Sequence, residues 1–369
     1  MCLLLLAAAG VPVSLLWDFS WESTVGIDLV WSAAHTATYL AVTLAGLTAL
    51  GLVWTTTRQA AGQGDGVRLG RLQAPLGAWV TAWGAMAFAA AVWFDRWWQS
   101  AYGLGAGIWH PPQICKAVAF FAVLLGVWLA GLNRQNQCAG RNDNGGAVAF
   151  VVAGGWVLAL ITVVTLVSNY PNRQHSAGFY KLACGTYPIV LAALATAGRL
   201  RFSALTASLV YMAVICMMVW LLPLFPARPQ VAPIYNPLDH LMPPPFPLLL
   251  VLPAAAVDAM VKLFPWPTHR FRPWFQAGAS GLAFFIAFFG TQWIFAEFLL
   301  MDLADNRFFA GGGQHWPFFL KLSSPARVEF WDVRQDEMNG TSGLVALGLA
   351  LLAARAGLWL GEWMKRLRR

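Results

Sequence analysis

The sequence predicts an all-α, polytopic integral membrane protein, a helical bundle with about ten transmembrane helices. Of its 369 residues, 59% are hydrophobic and only 11% are charged. The mean hydropathy of +0.59 is well above that of average soluble domains. Apolar runs long enough to span about 30 Å of hydrocarbon recur along the whole chain. Basic residues concentrate between these runs and in the C-terminal tail, where they set the orientation of a membrane protein.

Ten apolar runs are the predicted transmembrane helices. They lie near 1–17, 29–54, 76–94, 111–132, 147–168, 179–196, 203–224, 244–263, 275–301 and 341–362. The first run is short and lacks a basic segment before it, so a cleaved signal peptide is less favoured than a span. Whether the natural chain starts further upstream stays open.

The runs divide the chain into four regions. Region 1–132 is duplicated and carries the motifs, and 133–301 adds further helices with a proline-rich outer loop over 225–247. An extracytoplasmic loop follows at 302–340, before the last helix and basic tail at 341–369. The expected partners are the lipid bilayer and either other membrane subunits or further copies of the chain.

The distribution of Lys and Arg predicts the orientation. One alternating set of inter-helix segments, together with the tail, holds 13 basic residues, and the opposite set holds seven. We expect the richer set and both termini to face the cytoplasm, with a bacterial inner membrane as the location. The net charge of +8 then reflects orientation, and nothing in the sequence indicates nucleic-acid binding.

Two outer segments share a pattern that indicates an internal helix-loop-helix repeat. The first, "WDFSWESTVGIDLVWSAAH", covers 17–35, and the second, "FDRWWQSAYGLGAGIWHPPQ", covers 94–113. The aligned pairs are Asp18 with Asp95, Trp21 with Trp98, Ser23 with Ser100, Gly26 with Gly103 and, after one inserted residue, Trp31 with Trp109. Parallel repeats of this kind occur in transporters. Chance matches in a tryptophan-rich chain are the alternative.

The first segment carries a candidate ligand set. Asp18 and Glu22 are four residues apart and share one face of a helix, and His35 follows thirteen residues later at the start of the next helix. If the intervening loop folds back, the three side chains converge below the outer interface. An ionisable group at that depth faces a partner or a cavity. A metal site, an interfacial hydrogen-bond network and a proton relay are the three interpretations.

The spacing resembles that of a known family. Asp18, Glu22 and His35 follow the pattern Asp-x3-His-x12-His of the C subunit of the copper membrane monooxygenases, the particulate methane and ammonia monooxygenase family. Asp95 and two glutamines of the second copy, Gln99 and Gln113, fall on the spacing of that subunit's other ligand set, Asn-x3-His-x13-His. The resemblance covers roughly residues 17–125. It implies a copper site and oxidation of a small apolar substrate.

The chain departs from the family pattern where the family has histidine. Glu22, Gln99 and Gln113 replace imidazoles, and the nearest imidazole of the second copy, His110, lies three residues out of register. Two carboxylates and one histidine resemble a facial triad suited to iron, manganese or zinc, whereas copper favours imidazole and sulfur ligands. We therefore expect a first site that is altered but able to bind one metal ion, and a second site that has lost its metal.

Other polar residues approach the outer side from several predicted helices and loops. They are Lys116, Lys181, Glu297 and Asp302 in or beside apolar runs, and Asp239 and His240 in the proline-rich loop. A polar layer lining a substrate or ion pathway is one interpretation, and snorkelling side chains are the other. The Asp239–His240 pair is either a ligand pair or part of a packed lid.

Three functions remain open on the sequence alone. The first is a metal-binding, monooxygenase-like oxidoreductase, for which no catalytic residue can be named. The second is a transporter or channel, suggested by the repeat and the polar layer. The third is a non-catalytic membrane scaffold on the same fold, suggested by the missing imidazoles.

Overall fold

The fold is known from a computed structural model that describes residues 1–25, 30–59, 66–103, 110–138, 144–167, 176–228, 240–244, 246–264, 272–299 and 336–367. The helices are α1 (Cys2–Thr24), α2 (Ala33–Gln59), α3 (Leu76–Tyr102), α4 (Pro111–Gln137), α5 (Gly145–Val167), α6 (Ala177–Ala197), α7 (Ser203–Leu221), α8 (Val251–Leu263), α9 (Arg272–Leu299) and α10 (Gly340–Arg366). A hairpin of β1 (Val67–Leu69) and β2 (Leu72–Ala74) joins α2 to α3. The sequence analysis does not predict this hairpin, because three-residue strands carry too short a pattern to read.

The predicted all-α membrane bundle is confirmed. Within the described ranges, nine helices are long and apolar enough to cross a membrane, and α8 is the exception. Local sequence explains several helix ends. Pro111 and Pro112 occupy the first turn of α4, where a missing N–H costs nothing. Asn339 and Ser342 form a capping box at the start of α10.

The prediction of a complete transmembrane helix over 244–263 is wrong. Only α8 is helical there, and its 13 residues rise about 20 Å, which is less than the hydrocarbon thickness. The described residues just before α8 are not helical. Pro243, Pro244 and Pro247 explain this, because each lacks an N–H and disfavours helical geometry in the residue before it.

This stretch still runs the length of α7, in the opposite direction. The N–H of Leu241 donates to the carbonyl of Phe225 beyond the end of α7. Leu248 donates to the Tyr211 hydroxyl at mid-helix (2.9 Å), and Asp258 of α8 accepts N–H groups from the first turn of α7. α7 and its following turn form a candidate span, and we infer that the stretch beside them is an eighth crossing, made of an extended half and a helical half. Non-helical backbone at such depth is tolerated where protein surrounds it.

Several helices extend past the ends that hydropathy predicts, α1 and α3 among them. The first helix, α1, continues to Thr24, and α3 continues to Tyr102. Hydropathy marks where the hydrocarbon ends, whereas helical hydrogen bonding continues into the interface. As a result, Asp18, Glu22 and Asp95 lie on helices and not in loops.

The four motif-bearing helices pack in chain order, α1 on α2, α2 on α3 and α3 on α4, and α4 continues onto α5. The α3–α4 pair is held at very short range by glycines. A Cβ added to Gly126 would overlap the backbone nitrogen of Thr81, and one added to Gly84 would lie 2.7 Å from the backbone nitrogen of Val123. Small residues that let backbones approach are the usual basis of helix association in membranes.

Candidate metal centre

The first candidate ligand set lies where α1 ends and α2 begins. Asp18 and Glu22 occupy the last two turns of α1, one helical turn apart on the same face. His35 lies in the first turn of α2, and its backbone N–H donates to the Ser32 hydroxyl at 3.1 Å. Ser32 therefore satisfies one of the free donors at the start of α2 and fixes where that helix begins.

The three side chains converge, as their spacing predicts. Nε2 of His35 lies 3.4 Å from Oδ2 of Asp18, and one ligand atom from each of Asp18, Glu22 and His35 lies within 4.8 Å of the others. His35 and Asp18 are 25% and 17% exposed at the side chain, whereas Glu22 is exposed. The group is thus reachable from the end of the bundle and still partly shielded from water.

The chemistry of this cluster suits a cation. Two carboxylates and one imidazole supply two oxygens and one nitrogen, and Oδ1 of Asp18 is buried without a hydrogen-bond donor among the described residues. Ligands of one ion at about 2.1 Å are about 3.0–3.4 Å apart, so the 3.4 Å between Asp18 and His35 fits.

Hydrogen bonds on other faces of α1 bracket the ligand set. Below it, the hydroxyls of Ser14 and Thr38 lie 3.0 Å apart and join α1 to α2 inside the bundle. Beside it, the Ser20 hydroxyl donates to the backbone carbonyl of Met242. The backbone N–H of Met242 in turn donates to the Thr24 hydroxyl at 2.9 Å. The end of α1 is therefore fixed between α2 and the extended half of the eighth crossing.

The second copy gathers different groups around its aspartate. Lys116 of α4 donates to Oδ2 of Asp95 at 2.6 Å, and the Gln99 amide approaches the same oxygen at 3.2 Å. The imidazole of His110 lies 3.6 Å from Oδ1 of Asp95. No described contact joins the Gln113 side chain to Asp95. The backbone N–H of Gln113 donates to the His110 carbonyl. The structure thus places His110 and Lys116 against Asp95, and not the in-register Gln113.

The remaining predicted polar residues do not gather at one point. Lys181 is half-buried early in α6, Glu297 is exposed near the end of α9, and His240 is exposed with its backbone bridged to Pro226. Asp239 and Asp302 lie outside the described residues. The described part of the predicted polar layer therefore consists of Lys116, which pairs with Asp95, and of Lys181 and Glu297 on two other helices.

Sequence reasoning missed two contacts that shape the site. The pairing of Lys116 with Asp95 had a usable signal, because a lysine in a membrane helix needs a counter-charge near its own depth. The bonds from Ser20 and Thr24 to Met242 had none, since they join residues more than two hundred positions apart. No protein-family model, curated protein or solved structure matches the chain.

Proposed function

We propose that this integral membrane protein binds one metal ion through Asp18, Glu22 and His35. The observation that carries the proposal is the convergence of two carboxylates and an imidazole, from two helices, within 4.8 Å. No Lys or Arg of the described residues pairs with Asp18. A divalent ion would balance the negative charge of the two carboxylates, and the buried Oδ1 of Asp18 would coordinate it.

The donor set favours some metals over others. Two oxygens and one nitrogen suit iron(II), manganese(II) or zinc(II) better than copper, which the family resemblance implies. The carboxylates of Asp18 and Glu22 and the imidazole of His35 would hold the ion on one side and leave its other positions open to solvent. A redox-active ion bound in this way would supply oxidoreductase chemistry of the monooxygenase kind. The basic loops favour an orientation with the site on the outer side of the membrane.

Metal content tests the proposal directly. Detergent-purified wild-type protein should contain one metal ion per chain by elemental mass spectrometry, and His35→Ala should contain none. His240→Ala is the matched control, because His240 is an exposed histidine that does not belong to the ligand set, and it should keep the metal. Wild-type protein without stoichiometric metal after loading with iron, manganese, zinc and copper in turn would refute the proposal.

A second candidate function is a transporter or channel, and the half-extended eighth crossing favours it. Broken crossings bring backbone carbonyls to the middle of the membrane, where transporters build their substrate and ion sites. Proteoliposomes containing the protein should then show flux of a proton, ion or small solute above protein-free vesicles. Absence of flux across a broad panel, together with absence of metal, would leave a non-catalytic scaffold as the function.

A further inference from the structure

The second copy of the motif contains a carboxylate neutralised by a lysine of the neighbouring helix. Nζ of Lys116 lies 2.6 Å from Oδ2 of Asp95, and the two side chains are 16% and 11% exposed. Removing either charge from such a pair leaves the other uncompensated in a poorly solvated place. The pair therefore holds α3 and α4 together at the depth where the first copy has its ligand set.

The first copy has no equivalent ammonium. Among the residues that the structure describes, Asp18 faces an imidazole and a second carboxylate, and no Lys or Arg reaches it. The aspartate of each copy thus has a different source of positive charge. In the second copy a lysine supplies the charge, whereas in the first the described partner of Asp18 is an imidazole.

We propose that the second copy is a latent divalent-metal site, from which the ammonium of Lys116, paired with the carboxylate of Asp95, excludes the ion. Its ligands are the carboxylate of Asp95 and the imidazole of His110, with the amide oxygen of Gln99 as the third. Lys116 is then the residue that decides whether this copy accepts a metal ion. The site is separate from the Asp18 cluster and does not depend on that cluster binding metal.

The geometry around Asp95 supports this assignment. Two ligands of a tetrahedral ion at about 2.0–2.1 Å are about 3.4 Å apart, and Nε2 of His110 lies 3.6 Å from Oδ1 of Asp95. That oxygen is buried and has no hydrogen-bond donor among the described residues. The Gln99 amide lies 3.2 Å from the other carboxylate oxygen, and rotation about its terminal bond would turn its own oxygen inward. A nearby ammonium opposes a metal ion at this place by charge and by volume.

The test uses full-length protein in which the first cluster is disabled. In a His35→Ala background, Lys116→Met should gain about one equivalent of Co²⁺ or Zn²⁺, measured by elemental mass spectrometry after dialysis. The Co²⁺ form should show the visible absorption of a low-coordinate site. Lys181→Met, which removes a half-buried lysine from another helix, is the matched control and should gain none. Adding Asp95→Asn to Lys116→Met should abolish the gain.

Three results would overturn the proposal. The first is a folded Lys116→Met protein that takes up no Co²⁺ or Zn²⁺. The second is metal uptake that survives Asp95→Asn, and the third is equal uptake by Lys181→Met. If Lys116→Met does not fold, Lys116→Gln keeps a neutral donor beside Asp95 and is tested in the same way. Because every variant carries His35→Ala, any metal uptake measured in this test belongs to the second copy and does not depend on the Asp18 cluster.

Discussion

The two copies of the motif place an aspartate opposite a histidine in nearly the same way. The distance from carboxylate oxygen to Nε2 is 3.4 Å between Asp18 and His35, and 3.6 Å between Asp95 and His110. In both copies the aspartate lies two turns before the end of the first helix, and the histidine lies at the start of the next. The helix-loop-helix framework therefore sets the placement of these groups, whatever their use.

The copies diverge in the third charged group. The first adds the carboxylate of Glu22, whereas the second adds the ammonium of Lys116. The first cluster thus contains two carboxylates among its described groups, whereas the second contains one carboxylate and one ammonium. Affinity for a cation is therefore decided by one side chain per copy, and the framework can keep its geometry while the function of the cluster changes.

The largest expected effect is the loss of metal affinity when the aspartate carboxylate of the first copy is removed. Asp18→Asn should weaken metal binding by at least about 100-fold, because loss of a ligand costs more than loss of the groups that orient ligands. Asp95→Asn, its counterpart in the second copy, should leave metal content and affinity unchanged. Competition against a chelator of known affinity measures both. Equal losses in the two variants would contradict the difference between the copies.

Removing the internal cation should destabilise the second copy. Lys116→Met leaves the Asp95 carboxylate without its counter-charge in a mostly buried place, and we expect a loss of about 3 kcal/mol. Unfolding in mixed detergent micelles measures the free energy. The double variant Asp95→Asn/Lys116→Met should recover most of the loss, because no unpaired charge remains. A double variant as unstable as the single one would show that the lysine acts through packing alone.

The next largest effect on stability is expected from a glycine substitution on α4, whereas a glycine substitution on α2 should have little effect. Gly126→Ala on α4 should destabilise the protein by about 2 kcal/mol, because the added methyl group would overlap the backbone of α3 at Thr81. Gly51→Ala on α2 has open space around it and should be neutral or stabilising, by up to about 1 kcal/mol. Thermal unfolding of both variants checks the contrast. Similar losses would show that α3 and α4 can separate to admit the methyl group.

The smallest expected effect is the loss of one hydrogen bond between α1 and α2. Thr38→Val removes the hydroxyl facing Ser14 and should cost about 1 kcal/mol of stability, with a fall in metal affinity of less than about tenfold. Thr48→Val is the control, because the Thr48 hydroxyl bonds only to its own helix. A Thr38→Val protein with unchanged stability and affinity would mean that this bond does not position the ligands.

Much of the fold could be predicted because hydropathy reports which segments are apolar enough for lipid. The convergence of Asp18, Glu22 and His35 was also predictable, since two residues one turn apart and a short connection restrict where the third can lie. The helix over 244–263 could not be predicted correctly from hydropathy, which does not register that prolines remove backbone donors.

The charge state of the second cluster was harder to predict. Asp95 and Lys116 are separated by a helix end, a connection and a helix start, and their pairing depends on how α3 and α4 rotate about their axes. That rotation is set by glycines at the contact, such as Gly126 against Thr81. Spacing in the sequence does not encode it, so the in-register Gln113 was the expected neighbour and His110 is the observed one.

The half-extended crossing sets an order for the insertion of the chain into the bilayer during synthesis. A helix enters lipid with its backbone hydrogen bonds already made, but here Met242 depends on Thr24 and Leu248 depends on Tyr211. Both partners lie on helices that leave the ribosome earlier. We therefore expect the extended stretch to become compatible with the membrane only once α1 and α7 are in place.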